Sequence, residues 1–443
     1  MGFSICILCK IWQSSFDYCL ILLITLIGFM KVLWITNILF PEAQKLLTGK
    51  GELKASGGWM LGAANELIKR KDVVLAIATV SKLVSKLEYV KGENISYFII
   101  PFGKGNLKYN PQYESFWDKI KDMFQPNIVH IHGSEYTHGL AYVNKCGSEK
   151  VLLSIQGLKS AYYPYYYDGI SKWEILKNMT LHDIIGKSLF NAKQAFKQSG
   201  ELEKKLISKV HHIIGRTSWD RARTWAINPD AKYHFCNETL RDEFYDGSLW
   251  SCDNCRKHTI FLSQAHGPIK GLHQMLKAMP IILRHYPGAT VRIAGEDITK
   301  FSGIKGWIHY NGYMKYINKL VSKYNLQNHV VFTGPLTAEG MKREYLNCNV
   351  FVCPSTIENS PNSIGEAQIL GVPCVVSFVG GVMDMMKGDE DNLYRFEETE
   401  MLAEKVCAIF RESKDTSLMR ERAMKRHNPK TNSEQLYHIY QSI

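Results

Sequence analysis

From Met30 onward the chain alternates short apolar runs with segments of helical spacing, and that alternation leaves few folds open. Strands separated by helices pair in parallel, with helices covering both faces of the sheet. Lys31 to Ile38, Val73 to Thr79, Ile95 to Pro101, Asn127 to Gly133, Val151 to Gly157 and Val210 to Gly215 form one such series. Residues 245–257 interrupt it, being short on apolar periodicity and rich in Asp, Gly, Ser and Asn. A second series begins at Thr259 and continues through Thr290 to Ala294, Val330 to Gly334 and Val350 to Cys353. The expected fold class is α/β: two similar Rossmann-like halves facing each other across a cleft. A chain of 443 residues is long enough to build two cores.

The expected boundaries follow from these series. Residues 1–29 are a hydrophobic extension, read either as the product of a misplaced start or as a weak membrane-associating segment. Residues 30–244 form the first half, 245–257 the linker, 258–425 the second half, and 426–443 a last helix packing back on the first half.

Composition narrows the partners. The net charge of +12 points to an anionic partner (nucleotide, nucleic acid or membrane surface) or to general solubility. No nucleic-acid-binding signature accompanies it, so nucleic acid is not the expected partner. Eleven scattered cysteines, several inside apolar strands, fit reduced buried thiols in a cytoplasmic protein. Cys252, Cys255 and His258 resemble half a zinc site, but no second ligand pair follows at a suitable spacing, so no metal site is expected.

The chemistry concentrates between Val350 and Gly381. A short strand ends at Pro354, and a loop carries Glu358, Asn359 and Ser360. A helix follows, with Ser360 its expected N-cap and Pro361 its expected first residue, and it carries Glu366 before Gly371 and Pro373 stop it. Two carboxylates thus bracket a helix N-terminus, whose free N–H groups favour an anion. Elsewhere, His132 closes a strand at its carboxyl end, where open α/β sheets bind ligands. Gly57-Gly58 open a helix expected over Ala63 to Lys71, and glycine there permits close approach of a ligand. Five tyrosines between Ala161 and Tyr167 suit a sugar face or a membrane surface, or packing in a loop. The lysines of the helical stretch from Leu189 to Ile207 read as a solvated face or as a membrane contact.

Glu358 and Glu366 at this spacing, the following Gly371-Val372-Pro373 and Gly380-Gly381, and Lys270-Gly271 upstream resemble the retaining GT-B glycosyltransferases of family 4 (group 1). The resemblance covers nearly everything from Met30 and is strongest from Ile260 to Met383. It implies a transferase that moves a sugar from a nucleotide-sugar to a glycan or lipid-linked acceptor, in surface polysaccharide assembly at the inner face of the cytoplasmic membrane. It implies that Glu366 holds the ribose and Glu358 lies against the transferred sugar. The backbone of Asn359, Ser360, Asn362 and Ser363 would approach the sugar and diphosphate, and Lys270 would neutralise the leaving group. His132 and Gly57-Gly58 would face the phosphates and acceptor, and the chain around Gly334 would frame the base. No cofactor or metal is implied, and no protein nucleophile.

Three positions depart from the family pattern. Gln264 stands where an arginine is common, Gln156 where a histidine is often found, and Asn359-Ser360-Pro361-Asn362 replace the usual glycine-rich stretch. Arg216 is one candidate to restore the lost phosphate-side charge. Two alternatives are kept: a nucleotide-sugar 2-epimerase, which shares the architecture, and a non-catalytic sugar-nucleotide-binding protein, which rests on Gln264 and Gln156 alone.

Overall fold

A computed structural model describes residues 29–49, 58–102, 109–300, 310–412 and 415–443. Residues 1–28 of the extension, and Gly57, lie outside these residues. The first sheet runs β1 (Met30–Thr36), β2 (Val73–Ser81), β3 (Glu88–Lys91), β4 (Ile95–Pro101), β5 (Ile128–His132), β6 (Val151–Ser154), β7 (His212–Gly215) and β8 (Lys232–Phe235). Their spatial order is β3-β4-β2-β1-β5-β6-β7-β8. All pairs are parallel except the β3–β4 edge. β1 explains the topology: Val32 to Thr36 are buried on both faces, as only a central parallel strand requires. One apolar layer, around Leu33, Trp117 and Leu153, fills one face, and another, around Trp34, Met60 and Tyr97, fills the other.

The second sheet contains β9 (Thr259–Leu262), β10 (Thr290–Ile293), β11 (Val330–Phe332), β12 (Val350–Cys353), β13 (Cys374–Ser377) and β14 (Leu393–Tyr394). Its order is β11-β10-β9-β12-β13-β14, parallel throughout. In each sheet the strand order reverses beside the first strand, between β1 and β5 and between β9 and β12. Ligands of open α/β sheets sit outside the carboxyl ends of strands at such reversals. His132 closes β5, Gln264 follows β9, and the Glu358 loop follows β12.

Three crossings tie the halves together. Residues after β6 leave the first half, and Ile170 and Ile175 insert into the second half's core. Leu240 and Phe244 already belong to the second half's other core layer, ahead of the segment 245–257 read as the linker. That segment is itself fastened to the second half, Trp250 Nε1 donating to the Cys348 carbonyl at 2.7 Å. Finally the helix Pro429–Gln441 returns, and Leu436, Tyr437, Ile439 and Tyr440 pack in the first half. Tyr440 accepts from Trp34 Nε1 at 2.9 Å and meets His130 Nδ1 at 2.6 Å.

Several expected boundaries shift. The helix expected over Ala63–Lys71 spans Gly58–Leu67. The last helix, expected within 426–443, spans Pro429–Gln441. Asn428 caps it by accepting from Thr431 N, and Pro429 takes the first position, where its missing N–H costs nothing. The helix carrying Glu366 spans Asn362–Leu370, not a segment beginning at Pro361. Pro361 is extended (φ −69°, ψ 123°) and no side chain caps the helix. Asn359, held by the first half, fixes the loop, and this overrides the capping preference of Ser360, whose buried hydroxyl has no partner.

Candidate active site

Between the two halves lies a cleft of about 740 Å³, within the size range of small-molecule sites. Glu366, Asn362, Ser363, Gln264 and Gly58 line it, together with Arg241. It therefore gathers five of the residues singled out from sequence. Gly334 stands just behind: its carbonyl accepts from Gly295 N at 3.0 Å, and Gly295, Pro335 and Leu336 form the cleft wall. With Pro361 extended and no side-chain cap, the start of the helix Asn362–Leu370 opens at this cleft, as a helix suited to an anion does.

Glu366 is almost fully buried. Burial pushes its carboxyl above the ordinary range, and Arg241 opposes that rise. Arg241 holds it bidentately, Nε at 2.7 Å from Oε1 and Nη2 at 2.8 Å from Oε2. The guanidinium also lies over the Phe244 ring, 4.7 Å from its centre.

Glu358 and Lys270 are not among the described residues lining this cleft, though Glu358 lies on the loop that leads to Asn362. Lys270 Nζ donates to Glu358 Oε1 at 2.6 Å, and Ser355 Oγ donates to the same oxygen at 2.8 Å. Burial pulls the Lys270 ammonium down, but Glu358 outweighs it and the net shift is upward, so Lys270 is a firm cation. Gly271 makes this seating possible. Its φ is +69°, and a Cβ there would stand 1.6 Å from the Pro354 carbonyl oxygen. The Gly380-Gly381 turn closes over the loop, Gly381 N donating to the Glu358 carbonyl at 3.0 Å.

The Asn359 side chain is spent on the seam itself. Its Oδ1 accepts from Thr217 Oγ1 at 2.7 Å, and its Nδ2 donates to Asp220 Oδ2 at 2.9 Å and to the Gln156 carbonyl at 3.3 Å. Asn362 Nδ2 likewise reaches Glu238 Oε2 at 3.2 Å. Arg216, the sequence candidate for extra positive charge, is already committed: it pairs with Glu238 and donates to the Ile155 carbonyl at 2.8 Å.

His132 occupies a separate cavity of about 50 Å³, shared with Trp59, Arg216, Glu238 and Asn432. Burial, then Arg216, pulls its imidazole down to about 3, so the ring is neutral at neutral pH. Neither ring nitrogen has a partner, which leaves one donor and one acceptor for a hydroxyl group. Among the described residues no three His, Cys, Asp or Glu side chains cluster as a metal would require, and Cys255 Sγ bonds the Cys252 carbonyl.

Sequence reasoning assigned no role to Arg241, Thr217, Asp220 or Glu238. All four come from the first half's end and meet residues more than a hundred positions away. The stretch Asn237 to Arg241 contains two of them, Glu238 and Arg241.

With this geometry in place, known proteins can be compared. Sucrose-phosphate synthase of Thermosynechococcus elongatus superposes with a TM-score of 0.65, at 16% identity, covering 93% of this chain and 98% of that one. HepE of Anabaena, solved in complex with UDP and glucose, gives 0.61 at 13% identity, covering 94% and 100%. The fold is GT-B. Residues 254–426 of this GT-B chain match the family model described as glycosyl transferases group 1. An uncharacterized glycosyltransferase of Methanocaldococcus jannaschii is 30% identical over 125 residues, which is 28% of each chain. The alignments to curated relatives span less than a third of the relatives' length. The GT-B halves thus differ in what they share with other sequences. The second carries the family match, and the first supplies Arg241 and Asp220 to the seam.

Proposed function

We propose that the chain is a retaining, metal-independent glycosyltransferase of family 4, taking a nucleotide-sugar as donor and a glycan or lipid-linked saccharide as acceptor in surface polysaccharide assembly. The observation that carries this reading is the cleft itself. A buried carboxylate (Glu366) and an uncapped helix start (Asn362, Ser363) share it, and the loop leading to that helix carries Glu358, paired with Lys270. In the reaction the bond from the anomeric carbon to the diphosphate breaks and a bond to the acceptor oxygen forms. The acceptor's proton passes to the departing phosphate oxygen. Glu366 accepts from the ribose hydroxyls, while the N–H groups of Asn362 and Ser363 and the Lys270 ammonium meet the charge growing on the leaving group. His132, neutral and unpartnered, orients a hydroxyl of the sugar or acceptor. These cations and N–H groups supply the phosphate charge, so no metal is invoked. HepE, described with UDP, makes UDP-sugars the first donors to try. The test is nucleotide release from donor with acceptor present. Steady release supports a transferase. Binding without release refutes it, and conversion of the free nucleotide-sugar to its epimer supports the epimerase.

The lipid-linked class of acceptor draws support from one surface. Trp173, Leu176, Leu181, Ile184 and Ile185 are each at least half exposed within thirteen residues, a concentration beyond the scattered apolar residues of an ordinary surface. Glu174 is neutralised by Lys319 at 2.8 Å and Asp183 is buried, while Lys172 and Lys177 are exposed. Apolar side chains flanked by exposed lysines suit an anionic bilayer surface. No helix among the described residues is long and apolar enough to cross a membrane.

A further inference from the structure

We propose that Arg241 is a donor-phosphate ligand that competes with the donor's ribose for Glu366, so that nucleoside and diphosphate binding are coupled through one side chain. The proposal rests on the reading of Glu366 as the group that accepts from the ribose.

Arg241 sits on the crossing between the halves, and its backbone is anchored on both sides: Leu240 and Phe244 are buried in the second half's core. Only the side chain is left to move. Among the described residues its hydrogen bonds go to Glu366 alone, through Nε and Nη2. A ribose diol would donate to the same two carboxylate oxygens, so ribose and guanidinium compete for Glu366. Displacing a buried guanidinium from its carboxylate is costly unless another anion receives it. One arrives with the donor. Among the described residues Arg241 is the one lysine or arginine lining the cleft, which it shares with the uncapped helix start at Asn362 and Ser363. Lys270 is held by Glu358 outside that lining, and Arg216 by Glu238.

Two neighbours keep the paired side chain in place without adding a competing charge. The Phe244 ring lies under the guanidinium, and Gly58 covers the aliphatic part, where a Cβ would stand 2.7 Å from Arg241 Cγ. A side chain at position 58 would collide with the paired arginine, which gives this glycine a reason independent of its own helix.

The coupling has a consequence opposite in sign for two ligands. A nucleoside lacking phosphate must break the Arg241–Glu366 pair and offers nothing in return. A nucleoside diphosphate breaks it and then supplies the guanidinium with a dianion. The test measures affinities by calorimetry for uridine and UDP, guanosine and GDP, and adenosine and ADP, on the wild-type chain and on Arg241→Ala and Glu366→Gln. Arg241→Gln, which keeps the length and can still donate to Glu366, serves as the second variant should the alanine chain fold poorly. Removing Arg241 is expected to weaken the bound diphosphate roughly tenfold to hundredfold, the worth of one charge-assisted contact, while the matching nucleoside binds equally well or better. A parallel change in both ligands, or none in either, overturns the proposal and leaves Arg241 a fastening between the halves. Failure of the ribose reading shows differently: Glu366→Gln then leaves nucleoside affinity unchanged.

Discussion

Replacing Lys270 by methionine separates what the Lys270–Glu358 pair does for stability from what it does for the reaction. The Glu358 side chain is 9% exposed and that of Lys270 23%. Removing one member of a fully buried pair costs about 3–5 kcal/mol, because a charge stays behind without its partner. Here Ser355 continues to donate to Glu358 and the lysine end is partly wet, so about 2–3 kcal/mol is expected. With a urea slope of about 2–3 kcal/mol per molar, the unfolding midpoint falls by about 1 M. The double variant Lys270→Met with Glu358→Gln removes both charges and should recover most of that loss. Nucleotide release should not recover: it stays down by about a hundredfold or more in single and double variants alike, since the leaving group has lost its cation. An unchanged midpoint in the single variant would contradict the electrostatic account of the pair. A double variant that turns over like the parent would remove Lys270 from the reaction.

Three further expectations can be checked in parallel. Burial pushes Glu203 from an ordinary 4.5 up to about 7, so between those values the folded chain retains a proton that the unfolded chain has lost. Stability from this group is therefore lost as pH rises through that window, and Glu203→Gln should flatten the slope in urea titrations between pH 4.5 and 7; an identical slope refutes the assignment. Asn359→Ala removes three bonds across the seam and should lower stability by about 1–3 kcal/mol, with faster amide exchange at Thr217 to Asp220; unchanged exchange there would mean the seam is held elsewhere. Trp173→Ala with Ile185→Ser should reduce sedimentation with phosphatidylglycerol vesicles roughly tenfold and leave nucleotide binding intact. Undiminished sedimentation would dismiss this surface as the membrane contact.

The sequence carries the fold unevenly. Strands buried on both faces, such as β1 and β12, are legible because a continuous apolar run bounded by turn residues has few other uses. The second half's site is legible for a local reason: Glu358 and Glu366 lie eight residues apart on one loop and helix, so strand and turn signals place them together. The first half's contribution is not local. Arg241 meets Glu366 across 125 positions and Asp220 meets Asn359 across 139, and no periodicity encodes such pairs. The helix starts show the same division. Asn428-Pro429 carry a cap signal that the fold uses, whereas Ser360-Pro361 carried a cap signal that the tertiary bonds of Asn359 overrode.

The central assertion is that a nucleotide-sugar sits in the cleft with its ribose on Glu366. It is tested most directly by measuring binding of UDP-, GDP-, ADP- and CMP-sugars to the wild-type chain and to Glu366→Ala. One donor class should bind the wild-type chain, and the substitution should weaken it roughly tenfold or more, the cost of losing hydrogen bonds to a charged group. Equal affinity in the two proteins would contradict it.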